Sequence, residues 1–174
     1  DPAEMLSHHL VDCLAVLPSL RALAARQAGE AAPLPLHILD VGSGGGLPGV
    51  VLAAIQPDWQ VACIDTVAKK ATFIKQVAAE LGLKNLHGEH SRVEALKVEP
   101  FDLITSRAFA DLSDFVEWSG QLLEEGGRFI ALKGVAPPEE RERLPAPWQI
   151  TELRPIKVPG LDAERHLVFI QKSA

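Results

Sequence analysis

Five glycines crowd the run Leu39-Asp40-Val41-Gly42-Ser43-Gly44-Gly45-Gly46-Leu47-Pro48-Gly49. Leu36 to Val41 is short and apolar, as a buried parallel strand is. Gly49 to Ile55 has helical character, with Pro48 near its first turn. Glycine at the end of such a strand lets the chain turn sharply and brings its backbone close to whatever binds at the helix start. A strand, a glycine loop and a helix in that order point to an α/β fold.

The rest of the chain repeats the alternation. Gln60 to Asp65 predicts a second strand, and Lys69 to Leu81 a helix with Phe73, Ile74, Val77 and Leu81 on one face, stopped by Gly82. A weak strand near Leu86 to Glu89 precedes a helical turn near Val93 to Leu96. Phe101 to Ser106 is a strand, Leu112 to Leu123 a helix, and Arg128 to Lys133 the next strand. Gln149 to Val158 and His166 to Gln171 flank a Pro159-Gly160 turn, with no room for a helix between them. They should pair as an antiparallel hairpin at the sheet edge. Ahead of the first strand, Asp1-Pro2-Ala3-Glu4 reads as a helix start, with Met5, Leu6, Leu10, Cys13, Leu14 and Leu17 at helical spacing. Pro18 should break that helix; Leu20 to Ala28 reads as a second amphipathic piece and Gly29 to Pro33 as a linker. The expected architecture is Rossmann-like: a doubly wound, mostly parallel seven-stranded sheet with a C-terminal antiparallel hairpin, plus N-terminal helices.

Two ligand registers compete in the glycine loop. Gly44-x-Gly46-x-x-Gly49 fits a dinucleotide-binding pattern, whereas Gly42-x-Gly44-x-Gly46 preceded by Asp40 fits the loop that binds S-adenosylmethionine (SAM). Because the strand ends at Val41, the tight turn begins at Gly42; a dinucleotide pattern begun there would put Leu47 where its third glycine belongs. Position therefore favours SAM. Asp65, at the end of the second strand, suits ribose hydroxyls in either register, with capping of the next helix as the alternative. Ser91-Arg92-Val93-Glu94, after the third strand, stands where SAM enzymes hold the adenine.

Charge placement adds a second regularity. Asp40, Asp65, Arg92, Arg107 and Lys133 fall at or just past the carboxyl ends of expected strands, the edge where open α/β sheets bind ligands. Packing gives no reason for ionised groups there. The formal net charge of −6 argues against coating nucleic acid by bulk electrostatics. A locally basic edge on an acidic protein still suits a phosphate-bearing partner; structural ion pairs at Arg107 or Lys133 are the alternative. Cys13 and Cys63 sit in apolar contexts and read as two buried thiols of a reducing compartment. No apolar run reaches the roughly 18 residues of a membrane span, so a cytoplasmic protein without membrane contact is expected. The histidines lack metal-ligand spacing, and no metal site is proposed.

In these residues the chain resembles the class I SAM-dependent methyltransferases, and more closely the RsmG (GidB) family, which methylates N7 of a guanine in bacterial 16S ribosomal RNA. The resemblance is carried by the glycine run, by Ser91-Arg92-Val93-Glu94, Ser106-Arg107-Ala108-Phe109-Ala110 and Ala131-Leu132-Lys133-Gly134, and by Leu161-Asp162-Ala163-Glu164-Arg165-His166-Leu167. It covers essentially the whole chain, with residues 1–32 as an N-terminal helical segment packed on a SAM-binding methyltransferase domain of 33–174.

The resemblance implies SAM as cofactor, with contacts on Gly42, Leu47, Val93, Glu94 and Arg107, beside Gly44 of the loop and Asp65 as the ribose acid. It hands over no established catalytic base, and Arg107 is the only catalytic candidate. Guanine N7 has a free lone pair and no proton, so in-line placement and desolvation would supply most of the rate enhancement. Enzymes acting on exocyclic amines usually carry Asn/Asp-Pro-Pro-Tyr/Phe after the fourth strand, where this chain has Ser106-Arg107-Ala108-Phe109. Arg92, Lys133, Arg165 and His166 are the RNA-binding candidates, although Arg165-His166 would equally serve to cap the hairpin. Phe109 reads as a core residue or as a platform for a flipped guanine, and Pro137 to Arg143 as a solvated lid or short helix. The expected partner is 16S ribosomal RNA, within a small ribosomal subunit or an assembly intermediate, met by a monomer. Family members carry several dozen further residues ahead of the position matching Asp1; their absence is expected to bear on RNA docking and cofactor enclosure more than on the fold. Two other functions fit the same residues: a class I methyltransferase acting on another RNA or a small molecule, and a SAM-binding ribosome-associated module without turnover. A nicotinamide-dependent oxidoreductase fits least.

Overall fold

A computed structural model describes residues 2–28, 35–107, 109, 111–134, 143–158, 162 and 164–173, with the side chains of 2, 4–7 and 26–28 left aside. The expected cap at Asp1, the face positions Met5 and Leu6, the linker at 29–33, the body of the lid at 137–142 and the turn at 159–160 lie outside that description. The elements run α1 (Pro2–Ala28), β1 (His37–Val41), α2 (Gly49–Ile55), β2 (Gln60–Asp65), α3 (Ala68–Glu80), β3 (Leu86–His90), β4 (Phe101–Ser106), α4 (Leu112–Ser119), β5 (Leu123–Lys133), β6 (Trp148–Ile156) and β7 (Arg165–Lys172). Single 3-10 turns occupy Val93–Ala95 and Gly120–Leu122.

The strands form one seven-stranded sheet in the order β3-β2-β1-β4-β5-β7-β6. Pairings among β1 to β5 are parallel, and β7 runs antiparallel to both β5 and β6. Successive strand residues face opposite sides, which divides the interior in two. Ile38, Leu103, Ile130 and Phe169 pack with α1, α2 and α3 through Leu20, Leu52 and Ile74. Leu39, Ile104, Phe129 and Val168 pack on the other side with Leu112, Phe115 and Val116 of α4. Helices therefore cover both faces, as a doubly wound sheet requires. Between β1 and β4 the strand order reverses, and clefts form outside the carboxyl ends at such a point.

Three sequence expectations need correction. The chain does not break at Pro18: α1 runs through it as one helix. Leu14, whose carbonyl Pro18 cannot serve, and Pro18 itself are both on the exposed side, open to solvent, while Val16, Leu17, Leu20, Leu23 and Ala24 bury the opposite face. The packed stripe of α3 is Ala71, Ile74 and partly Ala78; Phe73 and Leu81 are 46% and 61% exposed instead of lying in the core. The helix expected to reach Leu123 stops at Ser119, because Trp148 packs onto Gly120, where any added Cβ would lie 2.7 Å from the indole. Leu122 and Leu123 then turn into the second core and start β5 earlier than the Arg128 that its β-rich end suggests.

Candidate active site

A cleft of about 590 Å³ opens at the carboxyl edge of the sheet. The end of β1 and the turn after it contribute Val41 and Gly42, the end of β2 and the residue after it contribute Ile64, Asp65 and Thr66, and the segment after β3 contributes Ser91, Arg92, Val93 and Glu94. Phe109, Asp114 and Trp118, after β4 and on α4, close the far wall. Both the volume and the mixture of an apolar lining with a few polar groups are those of a small-molecule site.

The glycine loop is shaped by close approach. Gly42, Gly44 and Gly46 have φ of 67°, 56° and 85°, a region costly for residues with a Cβ. At Gly46 a side chain would also meet Val50 Cγ2 at 2.4 Å and Ile74 Cδ1 at 2.6 Å. Gly49, opening α2, sits so close to β2 that an added Cβ would lie 2.3 Å from Cys63 Sγ. Beneath it, the fully buried Asp40 accepts the Gly49 N–H at 2.9 Å. Burial lifts the Asp40 carboxyl from 3.8 to about 7, against the opposing pull of the Gly49 N–H and of Arg107. Asp40 thus ties loop to strand from below and does not line the cleft.

Asp65 reaches the loop from the side. Its Oδ2 accepts the Gly44 N–H at 3.1 Å and its Oδ1 the Val67 N–H at 2.9 Å, while Lys70 Nζ stands 4.0 Å away. Each oxygen of a carboxylate has a further lone pair, so Asp65 can still accept from a ligand in the cleft it lines. The predicted Gly42, Asp65, Arg92, Val93 and Glu94 meet in this one cleft, and Gly44 is joined to it through Asp65. Leu47 is not among the lining residues.

Arg107 departs from its expected place at the cofactor. It does not line the cleft; its guanidinium turns to α1, where Nη2 donates to His9 Nδ1 at 2.9 Å and lies 3.8 Å from Asp12 Oδ2. Arginine has no acceptor, so Nδ1 is the unprotonated nitrogen of His9. The pull is the buried carboxylate of Asp12, which also receives Arg165 Nε at 3.4 Å. Lys133 Nζ donates to the Phe109 carbonyl at 2.8 Å, and His166 Nδ1 bonds the Gly134 carbonyl. Lys133 and His166 are register partners in the β5–β7 ladder, so the basic candidates other than Arg92 gather around the ends of β4, β5 and β7, beside the cleft.

Sequence reasoning missed Asp114, Trp118, Asp12 and His9. Phe109, weighed there as core or platform, is half-buried: it stacks on Phe115 with ring centroids 5.1 Å apart and meets Trp118 edge-on at 5.6 Å while lining the cleft. Trp118, 43% exposed, was the findable signal, since an exposed tryptophan on an amphipathic helix has no packing reason to be there. Ser106, though next to Arg107, is committed to structure, donating to the Val41 carbonyl at 2.8 Å. Among the described residues no cluster of His, Cys, Asp and Glu could hold a metal ion, and no helix is long and apolar enough to cross a membrane.

Comparison with known proteins places this geometry. The family model described as rRNA small subunit methyltransferase G (GidB) matches residues 1–168. A protein of Herminiimonas arsenicoxydans named ribosomal RNA small subunit methyltransferase G is 51% identical over 177 aligned residues, covering 99% of this chain and 76% of its own length. A protein of the same name from Leptothrix cholodnii is 52% identical, covering 98% and 75%. Among solved structures, a SAM-dependent methyltransferase from Aquifex aeolicus superposes with a TM-score of 0.66 at 16% identity over 99% of both chains, a likeness of fold.

Proposed function

The chain belongs to the rRNA small subunit methyltransferase G family, and from that premise we propose that it transfers a methyl group from SAM to N7 of a guanine in 16S ribosomal RNA. The match of nearly the whole chain to that family carries this reading. On this reading the protein acts in the cytoplasm, as a monomer, on small ribosomal subunits or their precursors.

The cleft suits SAM on its own terms. Asp65 presents acceptors for two ribose hydroxyls while its other lone pairs hold Gly44 of the glycine loop and Val67 at the start of α3. Ile64, Val93, Phe109 and Trp118 offer apolar surface for a purine, with Glu94 and Asp114 as acceptors for its amino group. Gly42, Gly44 and Leu47 belong to the loop beside it. SAM supplies a methyl group on a sulfonium centre, which leaves as a neutral thioether once the methyl is taken.

What remains for the protein is placement. Guanine N7 attacks with a lone pair that carries no proton, so no general base is required. The end of β4 agrees: Ser106 donates to the Val41 carbonyl, and Arg107 just beyond it can only donate. The apolar cleft wall excludes water, and the basic edge of Arg107, Lys133, Arg165 and His166 holds the RNA backbone around the target base. Incubating the protein with labelled SAM and unmodified small subunits, then digesting the RNA to nucleosides, tests this: 7-methylguanosine is expected, and any other methylated nucleoside overturns the choice of atom.

A further inference from the structure

Asp12 is 3% exposed on a helix whose other buried residues, among those described, are apolar. Burying a carboxylate is costly, and a buried ion pair is on average no more stabilising than an apolar replacement of its size. α1 is already anchored by Val16, Leu17, Leu20 and Leu23 in the core, and by Arg154 donating to Ser19 at 2.7 Å. Holding the helix in place therefore does not explain the charge.

Its partners do. Asp12 Oδ2 stands between Arg165 Nε at 3.4 Å and Arg107 Nη2 at 3.8 Å, two guanidiniums delivered by different elements, the end of β4 and the start of β7. Among the described residues the buried Asp12 Oδ1 has no hydrogen-bond partner, so the carboxylate presents one edge to both arginines. Two cations on one anion leave a positive charge in excess, and the arginine side chains remain 23% and 30% exposed. Five donors on each planar guanidinium leave most N–H groups free of that carboxylate. An arrangement that fixes two forks side by side while preserving net positive charge is suited to a phosphodiester.

We propose that Asp12 is a positioning residue that aligns Arg107 and Arg165 on the substrate side of the cleft, so that they clamp the RNA backbone next to the target guanine. The inference rests on the RNA methyl-transfer reading and adds to it a residue from the N-terminal helix.

Charge and position make opposite predictions here. Asp12→Asn keeps the shape but adds one positive charge to the RNA face, so bulk electrostatics alone would tighten binding. Alignment by Asp12 instead predicts that Asp12→Asn weakens filter binding to unmodified small ribosomal subunits by about tenfold, the scale of a charged hydrogen bond. SAM affinity by titration should stay within about twofold, since Asp12 does not line the cleft. Arg165→Lys keeps the charge but loses the Nε donor, and should show the same loss. Equal or tighter subunit binding by Asp12→Asn, or full binding by Arg165→Lys, overturns the positioning role while leaving methyl transfer by the unaltered chain intact. No subunit binding by the unaltered chain overturns both.

Discussion

The backbone N–H of Gly44 donates to the carboxylate of Asp65 at 3.1 Å, joining the glycine loop after β1 to the end of β2 across the floor of the cleft. The same side chain lines the cleft, so one residue shapes the loop and faces whatever the loop holds. Asp65→Ala should therefore weaken SAM binding by about 1–3 kcal/mol, through lost ligand contacts and a loosened loop. Isothermal titration measures it; unchanged affinity would remove Asp65 from the site.

Neighbouring glycines should respond differently to the same change. Gly46→Ala puts a methyl group against Val50 and Ile74 at a φ of 85°, with overpacking worth about 1–3 kcal/mol and the left-handed backbone roughly 1–2 more. Gly45 has nothing within 4 Å of an added Cβ, so Gly45→Ala should leave stability nearly unchanged. Urea unfolding of the two variants distinguishes them, and equal midpoints would contradict the loop geometry.

Asp40 should contribute a loss of stability as pH rises from about 4 to 7. Burial lifts its carboxyl from 3.8 to about 7. Across that window the native protein holds a proton that the unfolded chain has released, which makes the slope of unfolding free energy with pH negative. The contribution is complete below the unfolded value and gone above the folded one. Asp40→Asn cannot titrate, so the difference between the two stability–pH curves isolates the effect; parallel curves would rule it out.

Both cysteines should be inert in the native state. Burial pushes the Cys13 thiol to about 12 and the Cys63 thiol well above its usual value. At pH 8 iodoacetamide should label neither until denaturant is added, because the thiolate is the reactive form. Rapid native labelling would place one of them at the surface.

What was legible in the sequence is what local pattern determines. The strand before Gly42, the turn at the loop and the acid at Asp65 are each written within a few residues, and apolar runs bounded by glycine gave strands close to where they lie. Elements whose ends depend on distant packing were less legible. Pro18 stays helical because leucines on the far side of α1 find the sheet, and α4 stops where Trp148 lies against Gly120. The direction of Arg107 was the least legible feature, since a carboxylate far away in sequence turns it, and a lone Asp among apolar helix positions announces no partner. The wall of Phe109, Asp114 and Trp118 depended likewise on α4 folding back over the sheet edge.

The most direct test of the central claim is transfer of labelled methyl from SAM into small ribosomal subunits prepared without and with the modification. Label should enter only the unmodified subunits, in the RNA and not the protein, and appear after digestion as 7-methylguanosine. SAM binding without label in either preparation, or label in both alike, would contradict it.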